Sequence, residues 1–374
     1  MKVLFINHVS DISGAEISLL MLLKHLDRKR FEPVVMMPAE GPLFDEVKKL
    51  NVKVILSATS KLKPFQPVSY ITTVLGLISV LKQERPHLIH ANMDICAQYA
   101  LLPARLLKIP FIVHTRNILG KRPFKRMFLF GADILIANSN AVMRSFAEYS
   151  SRRQIKEVIY NGVDLVAFSF SKDKRNAART KYGFSENDFV IGLFGRIHPA
   201  KGHGQYLKAF GCVLKRRKNV KTLIVGNTAI NNSQGYLEEL KRYVNQNDLK
   251  ANVIFSEFEA DNASLHSTID LLVCPSDKEP FGRVLIEAMA MGVPVIANRN
   301  GGPLEIVDNG INGYLLDVND TNAFTDAIIK LYDDPLLRKE MGREGRRIAE
   351  MKFSIIRSTE AVESIYRRVL KRGI

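Results

Sequence analysis

The sequence has no tryptophan and only three cysteines among its 374 residues. Cys96, Cys212 and Cys274 stand far apart, without a Cys-x-x-Cys pair and without a histidine at ligand spacing. This pattern predicts neither a disulfide framework nor a zinc site, and it suits a reducing cytosol. The absence of tryptophan leaves few aromatic platforms on which nucleic-acid bases could stack.

Long apolar runs are also missing. The apolar core at residues 3–6 is too short for the hydrophobic region of a signal peptide, so we interpret it as a buried first strand. Residues 64–81 hold no charge, but prolines and hydroxyl side chains interrupt the run, which predicts a buried helix rather than a membrane span. We therefore expect a cytoplasmic protein whose membrane contact, on the inner face of the plasma membrane, is peripheral.

Length and charge narrow the class further. At about 150 residues per domain, 374 residues predict two domains rather than one. The formal net charge is +16, and residues 1–170 hold 23 Lys and Arg against 13 Asp and Glu, a difference of +10. This charge favours anionic partners, namely nucleic acid, acidic lipid or phosphorylated substrates, but it does not choose among them.

Short apolar, β-branched runs alternate with helical patterns along the chain. The runs are continuous, which is typical of parallel strands covered by helices on both faces. They fall into two sets, at residues 2–7, 33–37, 53–56, 88–90, 111–114, 134–137 and 157–159, and at residues 190–194, 222–225, 253–255, 271–274, 294–297 and 314–316. The pattern predicts two Rossmann-like α/β domains.

The rhythm of strands and helices breaks near residues 161–164, and residues 169–187 are polar and charged. We therefore expect an N-terminal domain at 1–168, a second domain at 169–352 and an amphipathic C-terminal helix at 353–374. That helix is expected to cross back to the first domain. Two facing domains of this kind would bind ligands in a cleft at the carboxyl ends of their strands.

The densest motif is the segment 279–297, which begins Glu-Pro-Phe-Gly-Arg-Val. A helix is predicted at 281–291, and the amide groups of its first turn would suit a phosphate or a sugar oxygen. Those amides belong to Phe281, Gly282, Arg283 and Val284. Glu279 and Glu287 could face one ligand, one holding a sugar and the other a ribose, although a lone glutamate is usually a solvated surface group.

A second motif is the loop Gly-Arg-Ile-His-Pro-Ala-Lys-Gly at 195–202, directly after a predicted strand. Arg196 offers a planar fork of donors and Lys201 a point charge. Together they could neutralise a diphosphate leaving group, whereas the alternative is a solvated basic loop.

Two loops of the first half carry weaker signals. Gly14 permits a tight turn before a helix, and the segment lacks the Gly-x-Gly-x-x-Gly fingerprint, which argues against a nicotinamide enzyme. His114 ends a predicted strand next to several donors, and it is a candidate catalytic residue or an ordinary structural histidine. Asn92 and Arg116 are weaker candidates for contact with the acceptor.

The segment 279–297 closely resembles the Glu-x7-Glu signature of retaining glycosyltransferases with the GT-B architecture, particularly family 4. The resemblance covers essentially the whole chain. It matches Arg196 and Lys201 to the family's diphosphate-binding pair and His114 to its active-site histidine. The family often has two adjacent glycines where this chain has Ser13-Gly14, so only Gly14 and the nearby backbone are carried over.

The resemblance implies transfer of a hexose or N-acetylhexosamine from a nucleotide sugar to a glycan or lipid-linked acceptor, with retention of configuration. The pathway expected is cell-surface polysaccharide or glycoconjugate synthesis, and UDP-sugar is favoured over GDP-mannose as donor. We expect no metal, because no plausible loop holds an Asp-x-Asp pair, and no cofactor besides the nucleotide-sugar substrate. Glu279 is expected to bind sugar hydroxyls rather than act as the nucleophile.

Three alternatives remain. A nucleotide-sugar epimerase or hydrolase would share the architecture, and a scaffold without activity would share the fold. A basic nucleic-acid-binding module is suggested by the charge alone, and no zinc-finger or RNA-recognition signature supports it, so we expect no nucleic-acid partner.

Residues 120–130 mix four cations with apolar side chains. A helix from Pro123 would place Phe124, Met127 and Phe128 on one side, which predicts docking of the first domain on an anionic membrane. Alternatively, these apolar side chains face the domain core, and the cations are solvated or hold an anionic soluble acceptor.

Overall fold

The computed structural model describes residues 1–58, 67–228, 234–257 and 261–371. The chain forms two compact units, the first made of Met1–Gly162 with Ile355–Ile374 and the second of Val163–Ser354. Residues 163–168, which we expected in the first domain, lie in the second unit. They are held there because the Val163 N–H donates to the Phe353 carbonyl, and Arg346 donates to the carbonyls of Leu165 and Phe168.

The first unit is built on a parallel sheet, with seven strands among the described residues. The strands are β1 (Lys2–Ile6), β2 (Glu32–Met37), β3 (Lys53–Leu56), β4 (Leu88–Ala91), β5 (Phe111–Thr115), β6 (Ile134–Ala137) and β7 (Ile155–Val158). Their spatial order is β3-β2-β1-β4-β5-β6-β7, so the direction of chain progression reverses between β1 and β4. Ligands of open α/β sheets bind at such a reversal, beyond the carboxyl ends of the strands.

Helices cover both faces of this sheet, as continuous apolar strands require. They are α1 (Gly14–His25), α2 (Pro42–Lys49), α3 (Pro67–Glu84), α4 (Ala97–Leu106), α5 (Lys121–Arg126) and α6 (Asn140–Phe146). The C-terminal helix spans Ile355–Lys371. Its side chains Val362, Ile365 and Tyr366 are buried in the same apolar cluster as Leu19 and Leu22 of α1. The expected return of this helix to the first domain is thereby confirmed.

A buried helix was predicted at residues 64–81, of which 64–66 lie outside the described residues; α3 buries Val74, Leu77 and Leu81 in the core, but its other face is exposed. Val68, Ile71 and Leu75 are 71%, 54% and 59% exposed. They share one face of the helix because their spacing is three and four residues. Among the described residues, none of the helices is long and apolar enough to cross a membrane.

The second unit contains a parallel sheet with six strands in the described part of the chain, in the order β10-β9-β8-β11-β12-β13. These are β8 (Phe189–Phe194), β9 (Val220–Val225), β10 (Val253–Ser256), β11 (Leu271–Cys274), β12 (Val295–Asn298) and β13 (Gly313–Leu316). The direction in which successive strands are added to the sheet reverses between β8 and β11, which pair directly and in parallel. The arginine–lysine loop follows β8 and the glutamate segment follows β11, so the fold brings the two predicted motifs together.

The helices of the second unit are α7 (Lys172–Lys181), α8 (His203–Arg216), α9 (Gln234–Gln246), α10 (Asn262–Thr268), α11 (Arg283–Ala290), α12 (Pro303–Ile306), α13 (Thr321–Asp333) and α14 (Pro335–Lys352), and the C-terminal helix is α15. Helix α7 lies inside the polar and charged segment 169–187. Its Arg175 and Arg179 both bind Asp270 before β11, and this ties the segment to the second unit.

Candidate functional site

The loop after β11 positions Glu279 and the start of α11. Gly282 caps the helix with φ of +103°, and a Cβ there would lie 2.8 Å from the Leu285 side chain. The helix therefore begins at Arg283, two residues after the predicted start at Phe281. Phe281 is buried and packs against Phe353, so its predicted contact with a ligand can involve only its backbone. Contacts of Gly282, Arg283 and Val284 with a ligand stay predictions.

A pair of glycines after β12 supports this loop. The Gly302 N–H donates to the Glu279 carbonyl at 2.8 Å. A Cβ on Gly301 would lie 2.2 Å from that carbonyl oxygen, and one on Gly302 would lie 2.4 Å from the Cα of Phe281. No site role was predicted for these glycines. Two consecutive glycines after a strand were nevertheless a signal that another loop approaches closely there.

We expect Gly302→Ala to lower the free energy of unfolding by about 1–3 kcal/mol, because its methyl group would push the glutamate loop out of place. Gly235→Ala in α9 is the matched control, since no atom lies within 4 Å of its Cβ and alanine favours a helix. Denaturant unfolding checks both variants. Equal stability of the two would contradict the close packing of the loops.

The arginine–lysine loop packs against the glutamate loop through its backbone. Gly202 has φ of +73°, and a Cβ there would lie 2.1 Å from the Pro275 carbonyl oxygen. The Asp277 N–H donates to the Ala200 carbonyl at 3.0 Å. Arg196 is exposed, and Lys201 ends a short 3₁₀ helix, Pro199–Lys201. The two predicted loops thus form one structure at the carboxyl ends of β8 and β11.

Lys201 and Glu279 form an ion pair, in which Lys201 Nζ donates to Glu279 Oε2 at 2.6 Å. Their side chains are 24% and 12% exposed. Burial lowers the pKa of Lys201, but the charge of Glu279 and its hydrogen bond outweigh burial, so the pKa is raised above 10.5. The lysine is therefore a cation at neutral pH. A ligand that takes up either group must share or open this pair.

Glu287 lies inside α11 and is buried. Its Oε1 accepts from Arg283 Nη2 at 2.7 Å, one helical turn earlier. Its Oε2 lies 3.9 Å from Nε2 of His266 on α10, a residue that no motif in the sequence signalled. The two predicted glutamates thus have different partners, a lysine for Glu279 and an arginine with a histidine for Glu287.

Gly14 is the first residue of α1 and is exposed. Ser13 and Glu16, on either side of Gly14 in the sequence, form a capping box, in which Glu16 Oε2 accepts from the Ser13 N–H at 3.1 Å. Glu16 is buried and also accepts from Asn7. The turn is therefore preformed at the carboxyl end of β1, and contact of Gly14 with a substrate stays a prediction.

His114 ends β5 in a buried polar cluster and is 4% exposed. Its Nδ1 accepts from Arg116 at 3.3 Å, and its ring stacks on His90 at 5.6 Å. Burial, with the charges of Arg116 and His90, places the pKa of His114 well below 6.5. The residue is therefore an uncharged imidazole at neutral pH, and its catalytic role stays a prediction.

Asn92 and Arg116 belong to the same cluster. Arg116 donates to Asn92 at 3.1 Å and to Asn161 at 2.7 Å. Nearby, both carboxylate oxygens of Asp94 accept from the Asn117 side-chain amide, at 3.0 and 3.3 Å, and burial raises the pKa of this carboxyl to about 6. Asp94 was not predicted as a site residue, because a single aspartate after a strand belongs to no recognisable motif.

A cavity of about 340 Å³ in the second unit lies away from these loops. It is bordered by residues that precede β11 and β12, such as Asp270 and Pro294, so it opens at the amino-terminal edge of the sheet. The predicted site residues Arg196, Lys201, Glu279 and Glu287 are not part of its lining. The predicted site is thus defined by loop geometry rather than by this cavity.

Known protein families match both units. Residues 12–166 match the family described as Glycosyltransferase Family 4, and residues 174–348 match Glycosyl transferases group 1. The capsular polysaccharide biosynthesis glycosyltransferase CapM of Staphylococcus aureus is 28% identical, over 82% of this chain and 83% of CapM. The putative glycosyltransferase EpsD of Bacillus subtilis is 31% identical, over 81% of this chain and 82% of EpsD.

A solved structure is similar over nearly the whole chain. Anabaena HepE, crystallised in complex with UDP and glucose, gives a TM-score of 0.88 at 25% sequence identity. The similarity covers 98% of this chain and 99% of HepE. Two parallel-sheet units of the kind described above are therefore shared with a protein that holds a nucleotide and a sugar.

Proposed function

The chain belongs to the family 4 glycosyltransferases of the GT-B fold, and we propose that it transfers a hexose or N-acetylhexosamine from a nucleotide sugar to a glycan or lipid-linked acceptor. The observation that carries this proposal is the pairing of Lys201 with Glu279 beside exposed Arg196, at the reversal between β8 and β11. Two cations next to a carboxylate suit a nucleotide sugar, because the cations can bind its diphosphate and the carboxylate can accept from its sugar hydroxyls. The similarity to CapM supports a role in cell-surface polysaccharide synthesis.

The proposed donor is a UDP-sugar in preference to GDP-mannose, and the UDP-bound state of HepE supports this choice. Arg196 and Lys201 would hold the diphosphate, Glu279 the sugar hydroxyls and Glu287 the ribose. Backbone groups of Phe281, Gly282, Arg283 and Val284 would line the donor. Gly14 and His114 of the first unit are proposed to contact the diphosphate and the transferred sugar.

The proposed reaction retains the anomeric configuration. The bond between the anomeric carbon and the diphosphate oxygen breaks, and the acceptor oxygen bonds to the same face of the sugar. The acceptor's proton passes to the leaving phosphate oxygen, so no carboxylate nucleophile is needed. Arg196 and Lys201 stabilise the charge that grows on the diphosphate, which supports a metal-independent step.

A nucleotide-sugar panel tests this function. We expect one UDP-sugar to raise the melting temperature, because a ligand at 100 times its Kd stabilises by about 2.7 kcal/mol. With an acceptor extract, that sugar should yield a glycosylated product whose anomeric configuration matches the donor's. An inverted product would contradict retention, whereas release of free or epimerised sugar without transfer would favour the hydrolase or epimerase.

We also propose that the first unit docks on the anionic inner face of the plasma membrane, using a surface that differs from the predicted one. Helix α5 is short, and Phe124 is buried against Phe146, so it cannot enter a membrane. A group of six exposed apolar side chains instead lies on α3, α4 and the turn after α5. They are Val68, Ile71, Leu75, Leu102, Leu106 and Phe130.

Three hydrogen-bonded neighbours join these elements. Tyr70 of α3 donates to the Gln98 carbonyl of α4, and the Gln98 side chain donates to the Arg126 carbonyl of α5. Four exposed cations on α5 border the apolar side chains, and no carboxylate among the described residues pairs with them. They are Lys121, Arg122, Lys125 and Arg126. Each such cation contributes about 1 kcal/mol near an acidic leaflet.

Co-sedimentation with vesicles checks this docking. We expect binding to acidic liposomes at physiological salt and little binding to neutral ones, with loss of binding when the four cations become serine. The matched control replaces Lys215 and Lys218, two exposed lysines of the second unit, by serine. Equal binding to both kinds of liposome, or no effect of the four substitutions, would contradict the proposal.

A further inference from the structure

His266 lies directly behind Glu287, in a tightly packed aromatic setting. It is 1% exposed. Its ring stands edge-on to Phe194, the last residue of β8, with centroids 5.0 Å apart, and to Phe168 at 5.6 Å. Both neighbours pack on the imidazole in the edge-to-face geometry that aromatic pairs favour.

The hydrogen bonds of His266 identify its tautomer. Nδ1 lies 2.8 Å from the Asn262 carbonyl oxygen, and a carbonyl can only accept, so Nδ1 carries the proton. In the uncharged ring, Nε2 then presents a lone pair. This atom is buried and makes no hydrogen bond of good geometry among the described residues, although the Val284 backbone also interacts with the ring.

Nε2 lies close to the carboxylate of Glu287. The distance from Nε2 to Oε2 is 3.9 Å, whereas Oε1 is already engaged by Arg283 at 2.7 Å. Oε2 is thus the oxygen left for a ligand hydroxyl. An uncharged imidazole cannot donate to it from Nε2, but an imidazolium can.

We propose that His266 is a positioning residue for Glu287: its uncharged ring leaves Oε2 available to the ribose of the donor, and its protonated ring withdraws Oε2 through an ion pair. The inference rests on the proposed function, in which Glu287 binds the ribose. It adds a proton-dependent control of donor affinity at a residue that does not touch the substrate.

The charges around the ring set the direction of the effect. Burial lowers the pKa of His266 below 6.5 and outweighs Glu287 and the backbone hydrogen bonds with Asn262 and Val284, which raise it; the charge of Arg283 lowers it further. The ring also borders the cavity of about 340 Å³, whose charged lining residues are Arg175, Asp270, Arg338 and Lys339. Because the pKa is lowered, the ring is uncharged at pH 7.5 and gains its proton only in acid.

The contrasting interpretation is that His266 merely fills space between α10 and α11. In that case, His266→Phe would change stability and leave the pH dependence of donor binding as it is. Phenylalanine keeps the ring between Phe168 and Phe194 but removes both nitrogens. His266→Asn is a second variant, which is smaller and keeps a donor for the Asn262 carbonyl, in case the first does not fold.

Calorimetry with UDP and UDP-glucose at pH 8 and pH 5 tests the proposal. We expect the affinity of the wild type for both ligands to fall as the pH is lowered from 8 to 5, since a charge-assisted hydrogen bond then competes for Oε2. His266→Phe and His266→Asn should lose most of this dependence and bind within about threefold of wild type at pH 8. The donor KM should follow the same pattern, with kcat little changed.

The control is His25→Phe on α1, where Nδ1 also contacts a carbonyl four residues earlier, that of Met21, at 2.9 Å. This variant should keep the wild-type pH dependence. If both His266 variants keep it too, the proposal is overturned. In the Glu287→Gln background, His266→Phe should change nothing. If Glu287→Gln itself binds UDP like wild type, the ribose assignment fails, and this result is distinct from failure of the histidine's role.

Discussion

We expect Arg196→Ala and Lys201→Ala each to lower kcat by about 10² to 10³, because each removes a cation that stabilises the charge growing on the leaving diphosphate. The two variants should differ in stability. Arg196 is exposed, so its truncation should leave the melting temperature unchanged. Lys201 is the ion-pair partner of Glu279, so Lys201→Ala should lower the melting temperature as well.

Steady-state kinetics with a UDP-sugar, together with thermal unfolding, measure both effects. The matched control is Lys215→Ala, an exposed cation about 18 Å along α8 from its first residue, His203. Its kcat should equal that of wild type. Near-normal kcat in both purified site variants would remove the diphosphate assignment.

The sheets could be predicted because their strands carry their own signal. Residues 53–56, 134–137 and 271–274 were predicted as strands, and β3, β6 and β11 have these bounds. A continuous apolar run must be covered on both faces, so it specifies a parallel strand without reference to the rest of the chain. The order of strands then brings the loops after β8 and β11 together.

The structure of short segments was harder to predict, because the same apolar pattern is compatible with two different packing arrangements. Phe124 could have faced a membrane or the core, and it packs against Phe146 in the core. The start of α11 depends on the positive φ of Gly282, which glycine permits but does not require. Neither outcome follows from local sequence, since the competing packing partners lie elsewhere in the chain.

The partners of the candidate site residues were not predictable for the same reason. Lys201 and Glu279 are 78 positions apart, and each was assigned separately to diphosphate and to sugar. Their ion pair appears only when Gly202 packs on Pro275 and Gly302 binds the Glu279 carbonyl. His266 reaches Glu287 from another helix, so spacing within the motif could not reveal it.

The two glutamates are expected to fail differently. Glu287→Gln should weaken binding of both UDP and the intact UDP-sugar, by about 10- to 100-fold, because a charged acceptor of the ribose hydroxyls is lost. Glu279→Gln should spare UDP and weaken only the intact donor, since its carboxylate is assigned to the sugar. Glutamine has nearly the same shape as glutamate, so the loops around Gly282 and Gly302 should keep their packing.

The different partners of the glutamates sharpen this test. In Glu279→Gln, Lys201 loses its anionic partner and is free to bind the diphosphate more strongly, so UDP affinity should stay the same or rise. In Glu287→Gln, the ion pair between Arg283 and the carboxylate is lost, and the variant frees no lysine to bind the diphosphate. Calorimetry of each variant with UDP and with UDP-glucose separates the two outcomes. The reverse result, in which only Glu279→Gln weakens UDP binding, would overturn the assignment. UDP lacks the transferred sugar, so a carboxylate that binds only that sugar makes no contact with UDP.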